Sequence, residues 1–215
     1  MSAHARRCVV TGVGIVSPIG TTTQQAWSAL VAHTQKQTTH DGAATATPPP
    51  PPPTAVTLRK ALADAPVRIA AALPESWKLA DNNHLYQRGD EQTLARFSQL
   101  ALAAAAQPLR HADYSADADA EQRRAGVAIG SGIGGLAEIV AASNTLNESG
   151  ARRISPHFIP KMLVNMAGGN VAIRASLRGP SAAPARACAT GGHALAAALP
   201  LIPAGEADVM VAGAA

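Results

Sequence analysis

The sequence predicts an α/β protein with a largely parallel sheet. Three observations carry this reading. Short apolar runs, such as CVV at residues 8–10, GVAIG at 126–130 and DVMVAG at 208–213, run into glycines or loops. Longer stretches with apolar residues at helical spacing lie between them. The two kinds alternate, and strands that alternate with helices pair in parallel because the helices form the crossovers. Aromatic residues make up only 3% of the chain against 47% hydrophobic, so the core is expected to be built from Ala, Val, Leu and Ile.

In chain order, residues 7–20 read as a buried strand followed by a loop, punctuated by Gly12 and Gly14. Cys8, beside Val9 and Val10, reads as a small core residue. Residues 21–33 predict a helix with a threonine cap and with Ala26 and Leu30 on one face. The composition then shifts to a proline-rich insertion at about residues 41–57, with six consecutive prolines at 48–53. Such a run is polyproline II, neither helix nor central strand. It reads as a surface insertion, because a bare proline tract carries no specificity residues.

Residues 90–113 predict one amphipathic helix, with Leu94, Phe97, Leu100 and Ala101 on a face and Pro108 marking its end. Residues 125–135 read as a second buried strand running into glycines. A helix to Gly150 follows, and another starts near Pro160 and runs toward Ser176. Residues 181–188 form a short strand candidate, GGHALAAAL a helix, and residues 207–215 a final buried strand. An ending on a bare apolar strand reads as part of a larger domain.

Composition excludes several classes. The net charge is +4 and the arginines are scattered, with no basic stripe interleaved with aromatics. Nucleic-acid binding is therefore not expected. Two distant cysteines make neither a disulfide framework nor a CxxC metal site, which points to an intracellular protein. No apolar run is long enough to span a bilayer, and the segment before the first strand is too short for a signal peptide. The histidines have no metal-ligand spacing, so no metal is expected. GSGIGG at residues 130–135 fits a dinucleotide fingerprint, which also needs an acidic residue at the end of the next strand. Glu148 stands near that distance on the polar end of a helix, so the required strand is missing. No cofactor is expected, and the glycines read as allowing close approach to a backbone or ligand.

Cys188 is the candidate for chemistry. It sits at a strand-to-helix turn with Gly191 and Gly192 just after it. The positive end of the helix dipole and the free N–H groups there favour thiolate. Those N–H groups can also serve an oxyanion, as in a nucleophile elbow. A buried cysteine at a tight turn fits the same spacing, so spacing alone leaves both readings open. His193 falls off the face of Cys188 and reads as structural rather than as its base.

Several long segments together resemble the β-ketoacyl-[acyl-carrier-protein] synthases of fatty-acid elongation, including the mitochondrial form. They are RRCVVTGVGIVSPIG, GVAIGSGIGG, ISPHFIPKMLVNMAGG, LRGPSAAPARACATGGHAL and GEADVMVAGAA, in the family's order and spacing. The resemblance covers the chain from about Arg6, the proline-rich insertion apart. It implies a thiolase-like layered fold, of which this is the N-terminal half. It implies acyl transfer from acyl carrier protein to Cys188, then decarboxylative Claisen condensation with malonyl-carrier. Cys188 matches the nucleophile, and its own N–H one oxyanion donor. Ile133 matches a residue lining the acyl pocket. Phe158 matches a position that reaches toward the partner's pocket in the family's homodimer. Compartment stays open between cytoplasm and mitochondrion.

The resemblance also carries departures. The family's two further histidines and supporting lysine lie in its second half, and none of the histidines here matches them. The piece alone is thus expected to be inactive in condensation and to expose a large apolar face. Pro184 falls in the strand leading to Cys188. Pro200 and Pro203 fall where the following helix normally continues, so that helix should stop or kink near Leu199. Rival readings are a non-catalytic synthase scaffold, which typically lacks the cysteine, and a polyketide-type ketosynthase.

Overall fold

The computed structural model describes residues 6–38, 55–57, 69–74, 76–81 and 83–215. The proline tract at 48–53 lies outside them. At the centre is a parallel sheet of β3 (Ala125–Gly130), β4 (Ser181–Ala182) and β5 (Val209–Ala214), in the order β4-β3-β5. Separately, β1 (Ala55–Thr57) pairs antiparallel with β2 (Ile69–Ala71).

β3 is buried at every residue, as expected of a central strand covered on both faces. On one face lie α3 (Arg96–His111) and α7 (Met166–Arg174), which pack on each other and, through α7, on β3. Leu102, Ala106, Val127, Ala167 and Val171 form the centre of that core. On the other face lies α8 (Thr190–Ala198), which touches β3 and β5 and buries Ala194 and Ala198. The result is a helix–sheet–helix layering. The low aromatic content shows in it: alanines let helix and sheet backbones approach closely.

α1 (Thr23–Thr38) starts where Thr22 accepts the Gln25 N–H at 3.2 Å, the predicted threonine cap. Ala26 is buried, while Leu30 is half-exposed. α5 (Leu136–Ser149) stops at Gly150, whose φ of 82° suits glycine. α4 (Asp119–Arg123) precedes β3.

Several expectations are corrected. The helix expected over 90–113 is two, α2 (Asp90–Thr93) and α3, separated by extended backbone at Leu94 and Ala95. The Gln99 side chain stabilises the break by donating to the Leu94 carbonyl at 3.0 Å. Pro108 lies inside α3 rather than ending it. The helix expected from Pro160 is likewise two: α6 (Phe158–Met162), then α7. The final strand is present, yet only partly buried.

The largest correction is the first strand. Residues 6–16 contain no strand, Cys8 is exposed, and Val9 and Val10 are 67% and 81% exposed. The segment is held from its side instead. Pro108 has no N–H, so the Ala104 carbonyl loses its helical donor. Gly14 lies against that carbonyl, where a Cβ would come within 2.0 Å of the oxygen. Gln107 then pairs with Ile15 as a strand neighbour would, its amide donating to the Ile15 carbonyl at 2.9 Å.

Candidate active site

Cys188 lies in a 3-10 turn (Ala187–Ala189) that leads directly into α8. The turn's first internal bond runs from the Ala189 N–H to the Arg186 carbonyl at 3.0 Å. The Cys188 amide precedes it, among the N–H groups that a helix start leaves without an internal acceptor. The thiol is exposed. The residue before it, Ala187, has φ 46°, a left-handed conformation that a residue with a Cβ adopts only when its surroundings hold it there.

The holding group is Thr190. It is 2% exposed, its hydroxyl accepts the Arg186 N–H at 2.9 Å, and it donates to the Ala187 carbonyl at 2.7 Å. One side chain thus ties both ends of the tight turn that presents the cysteine. Sequence reasoning assigned Thr190 no role. The available signal was a hydroxyl residue at the first helical position after a strand, which marks caps in general.

The glycine loop packs beside this turn. A Cβ on Gly130 would fall 1.8 Å from the Pro184 carbonyl oxygen, so only glycine fits. Gly132 abuts Ala187, with its Cβ position 3.4 Å from the Ala187 Cα. Gly134 has φ 78° and donates its N–H to the Ser131 hydroxyl at 3.1 Å. Gly135 donates to the Met162 carbonyl at 3.1 Å, tying the loop to α6. This is the close approach that the glycines suggested.

Ile133 projects from the loop and is 66% exposed. Phe158 opens α6 and is partly buried. The loop therefore connects the elements carrying Cys188, Ile133 and Phe158. His193 bonds through Nδ1 to the Ala189 carbonyl at 3.0 Å, one turn back in its own helix. That matches its structural reading. Pro184 lies past the end of β4, so it removes no ladder bond. α8 ends at Ala198 and gives way to a 3-10 turn at Leu199–Leu201, where Pro200 was expected to stop it.

Away from this turn, Asp208 is gripped by Arg124 and Arg6, which hold its carboxyl down to about 2. Asp119 is lowered by Arg123 and Arg178. Among the described residues no His, Cys, Asp and Glu cluster could hold a metal ion. No helix among them is long and apolar enough to cross a membrane.

A cysteine presented at a helix start in a helix–sheet–helix layer, against a glycine loop, is the arrangement of the N-terminal half of thiolase-like ketosynthases. Comparison of the fold agrees. A β-ketoacyl synthase from Burkholderia phymatum superposes with a TM-score of 0.70 at 26% identity, over 95% of this chain and 45% of that one. A type II polyketide ketosynthase, in complex with its acyl-carrier protein and bound to a hexaketide, gives 0.73 over 96% of this chain and 49% of that one. At 19% identity that likeness concerns the fold alone.

The chain belongs to the β-ketoacyl synthase family: residues 5–215 match its N-terminal domain. It is 40% identical over 211 residues to 3-oxoacyl-[acyl-carrier-protein] synthase 2 of Rhizobium meliloti, covering 97% of this chain and 46% of the relative. It is 35% identical over 208 residues to the mitochondrial 3-oxoacyl-[acyl-carrier-protein] synthase of Arabidopsis thaliana, covering 97% and 44%. The chain thus spans about half the length of the curated relatives it matches.

Proposed function

We propose that this chain is the acyl-accepting part of a 3-oxoacyl-[acyl-carrier-protein] synthase of fatty acid biosynthesis, with Cys188 as nucleophile. The observation that carries it is the exposed Cys188 thiol at the start of α8, presented by a left-handed Ala187 that Thr190 locks in place. The Cys188 thiolate attacks the thioester carbonyl of an acyl group on its carrier protein. The C–S bond to the carrier's thiol breaks, that thiol leaves with a proton, and a new thioester forms on Cys188. The Cys188 N–H faces no helical acceptor and is the donor placed to stabilise the intermediate oxyanion.

In the second stage, malonyl-carrier loses CO₂ and its carbanion attacks the acyl-Cys188 carbonyl. The new C–C bond displaces the Cys188 thiolate. The two histidines that promote this step in the resembling family have no counterpart among the histidines here, and their supporting lysine lies in the family's second half. The present residues therefore serve the first stage. Ile133 lines the acyl pocket, and Phe158 reaches the partner's pocket in a homodimer.

The test is intact-mass spectrometry after incubation with an acyl-[acyl-carrier protein]. An acyl adduct mapping to Cys188, and lost in Cys188→Ala while Cys8 remains, supports the assignment. An adduct on Cys8, or none in a full-length relative carrying the same turn, would overturn it.

A further inference from the structure

The loop that leaves β3 carries one exposed branched side chain, and a buried hydroxyl holds it. Residues 131–135 run from the end of β3 to the start of α5. The Gly135 N–H donates to the Met162 carbonyl at 3.1 Å, which pins the far end of the loop to α6. Gly134 is left-handed, and a Cβ there would come within 2.6 Å of the same carbonyl oxygen. Between these anchors, the Gly132 and Ile133 backbones make no hydrogen bond among the described residues. The bond that spans them is the Gly134 N–H donated to the Ser131 hydroxyl at 3.1 Å. Ser131 is 4% exposed.

This bond closes a four-residue turn, with a side-chain oxygen standing where a backbone carbonyl usually accepts. The two residues inside the turn are Gly132 and Ile133. Gly132 abuts Ala187, the residue before Cys188. Ile133 and Cys188 are therefore separated by that contact and two peptide steps of about 3.8 Å each. Both side chains are exposed. A chain carried on Cys188 thus has the Ile133 side chain within reach. Apolar surface gives such a chain a place to leave water. A surface that must first be ordered gives back part of that gain as lost conformational entropy.

We propose that Ser131 is the positioning residue for chain-length selectivity at Cys188: by holding the Gly134 amide, its hydroxyl keeps Ile133 in place as the apolar surface on which a long chain packs. The proposal rests on the reading of Cys188 as acyl acceptor. Ser131 is itself buried with its oxygen engaged, so it acts through the loop and not on the acyl group. A short chain ends before it gains from Ile133. Ser131 therefore governs the preference between chains, whereas a merely structural role would slow all chain lengths alike.

The test uses the full chain and two thiol reagents, N-ethylmaleimide and N-decylmaleimide. The Cys188 sulfur adds to the C=C bond and the neighbouring carbon takes up a proton. Peptide mapping gives the decyl-to-ethyl rate ratio at Cys188, with Cys8, outside the loop, as internal reference. The ratio at Cys188 is expected to fall by about fivefold or more in Ser131→Ala, since the freed residues must be ordered anew for each chain. Ile133→Ala, at an exposed position, should lower it as well. Ser131→Thr, which keeps the hydroxyl, should retain it. Amide exchange at Gly134 should rise about tenfold in Ser131→Ala and not in Ile133→Ala. An unchanged ratio in Ser131→Ala or Ile133→Ala, a Ser131→Thr protein that behaves like Ser131→Ala, or a Cys8 ratio that falls in step would each overturn the assignment. Short- and long-chain acyl-[acyl-carrier protein] donors read the acceptor role separately. No adduct on Cys188 from either donor, with the maleimide ratio still responding to Ser131, would remove that role and leave the selectivity of the loop standing.

Discussion

Gly130 lies directly beneath Thr190: a Cβ at Gly130 would sit 2.6 Å from the Thr190 Cγ2 and 1.8 Å from the Pro184 carbonyl oxygen. The last residue of the central strand is therefore in van der Waals contact with the group that locks the cysteine turn. Gly130→Ala must push Pro184 and Thr190 away from β3. Overpacking of this kind, with backbone forced to move, costs about 1–3 kcal/mol. A lowered urea midpoint together with slower Cys188 acylation is expected, the second because the turn itself shifts. Unchanged acylation in a folded Gly130→Ala protein would show that the contact does not position Cys188.

Thr190 can be separated into its two parts. Thr190→Val keeps the shape but leaves the Arg186 N–H and the Ala187 carbonyl without their partner at 2.9 and 2.7 Å. Both groups are only partly buried, so water can replace part of the loss and each broken hydrogen bond costs about 0.5–1.5 kcal/mol. Thr190→Ser keeps both hydrogen bonds and loses only the methyl that touches Gly130. The expected order of Cys188 acylation rate is native, then Ser, then Val, with Ser near native. Since Thr190 acts through the turn, the Val variant should slow acylation by every acyl donor to the same degree.

These two residues mark what the sequence could and could not show. β3, α5 and α8 were legible because their signals are local: a run of β-branched and small residues, a glycine stop, an alanine-rich helix ended by Pro200. The Cys188 turn was legible in outline for the same reason. The locking role of Thr190 was not, because it depends on the φ of Ala187 and on a glycine sixty residues earlier in β3. The first strand failed for a related reason. CVV has strand character, but a ladder needs a neighbour, and no strand among the described residues pairs with it. The break at Leu94 and Ala95 depends on Gln99 reaching back to the Leu94 carbonyl, which periodicity cannot register.

Asp90 and Arg174 form the pair that joins the α2 segment to α7. They meet at 2.5 Å, with side-chain exposures of 3% and 13%. Asp90 also accepts the Gln87 N–H at 2.8 Å. Removing one partner strands a charge in the interior, which typically costs about 3–5 kcal/mol. Arg174→Met should therefore be strongly destabilising in urea titration. The double variant Asp90→Asn, Arg174→Met should recover part of the loss, since no buried charge is left. A double variant as unstable as the sum of the single ones would argue that the two residues contribute independently.

Asp208 predicts an acid-sensitive anchor for the N-terminal segment. Arg124 and Arg6 lower its carboxyl from 3.8 to about 2 in the folded protein. A folded value below the unfolded one means the native state binds the proton less readily. The contribution to stability is therefore complete above roughly pH 4, near the unfolded carboxylate value, and disappears as pH falls through about 2. Asp119, also lowered by its arginines, adds a background in the same direction, so the informative quantity is the difference between proteins. Urea midpoints for native protein and Asp208→Asn should converge as pH drops from 5 toward 2. At neutral pH the variant should also be cut faster by trypsin at Arg6 and Arg7, because the ion pair at 2.7 Å ties that end of the segment to Asp208, at the start of β5. Parallel midpoint curves, or equal cleavage, would show that the Asp208 carboxylate does not anchor the segment.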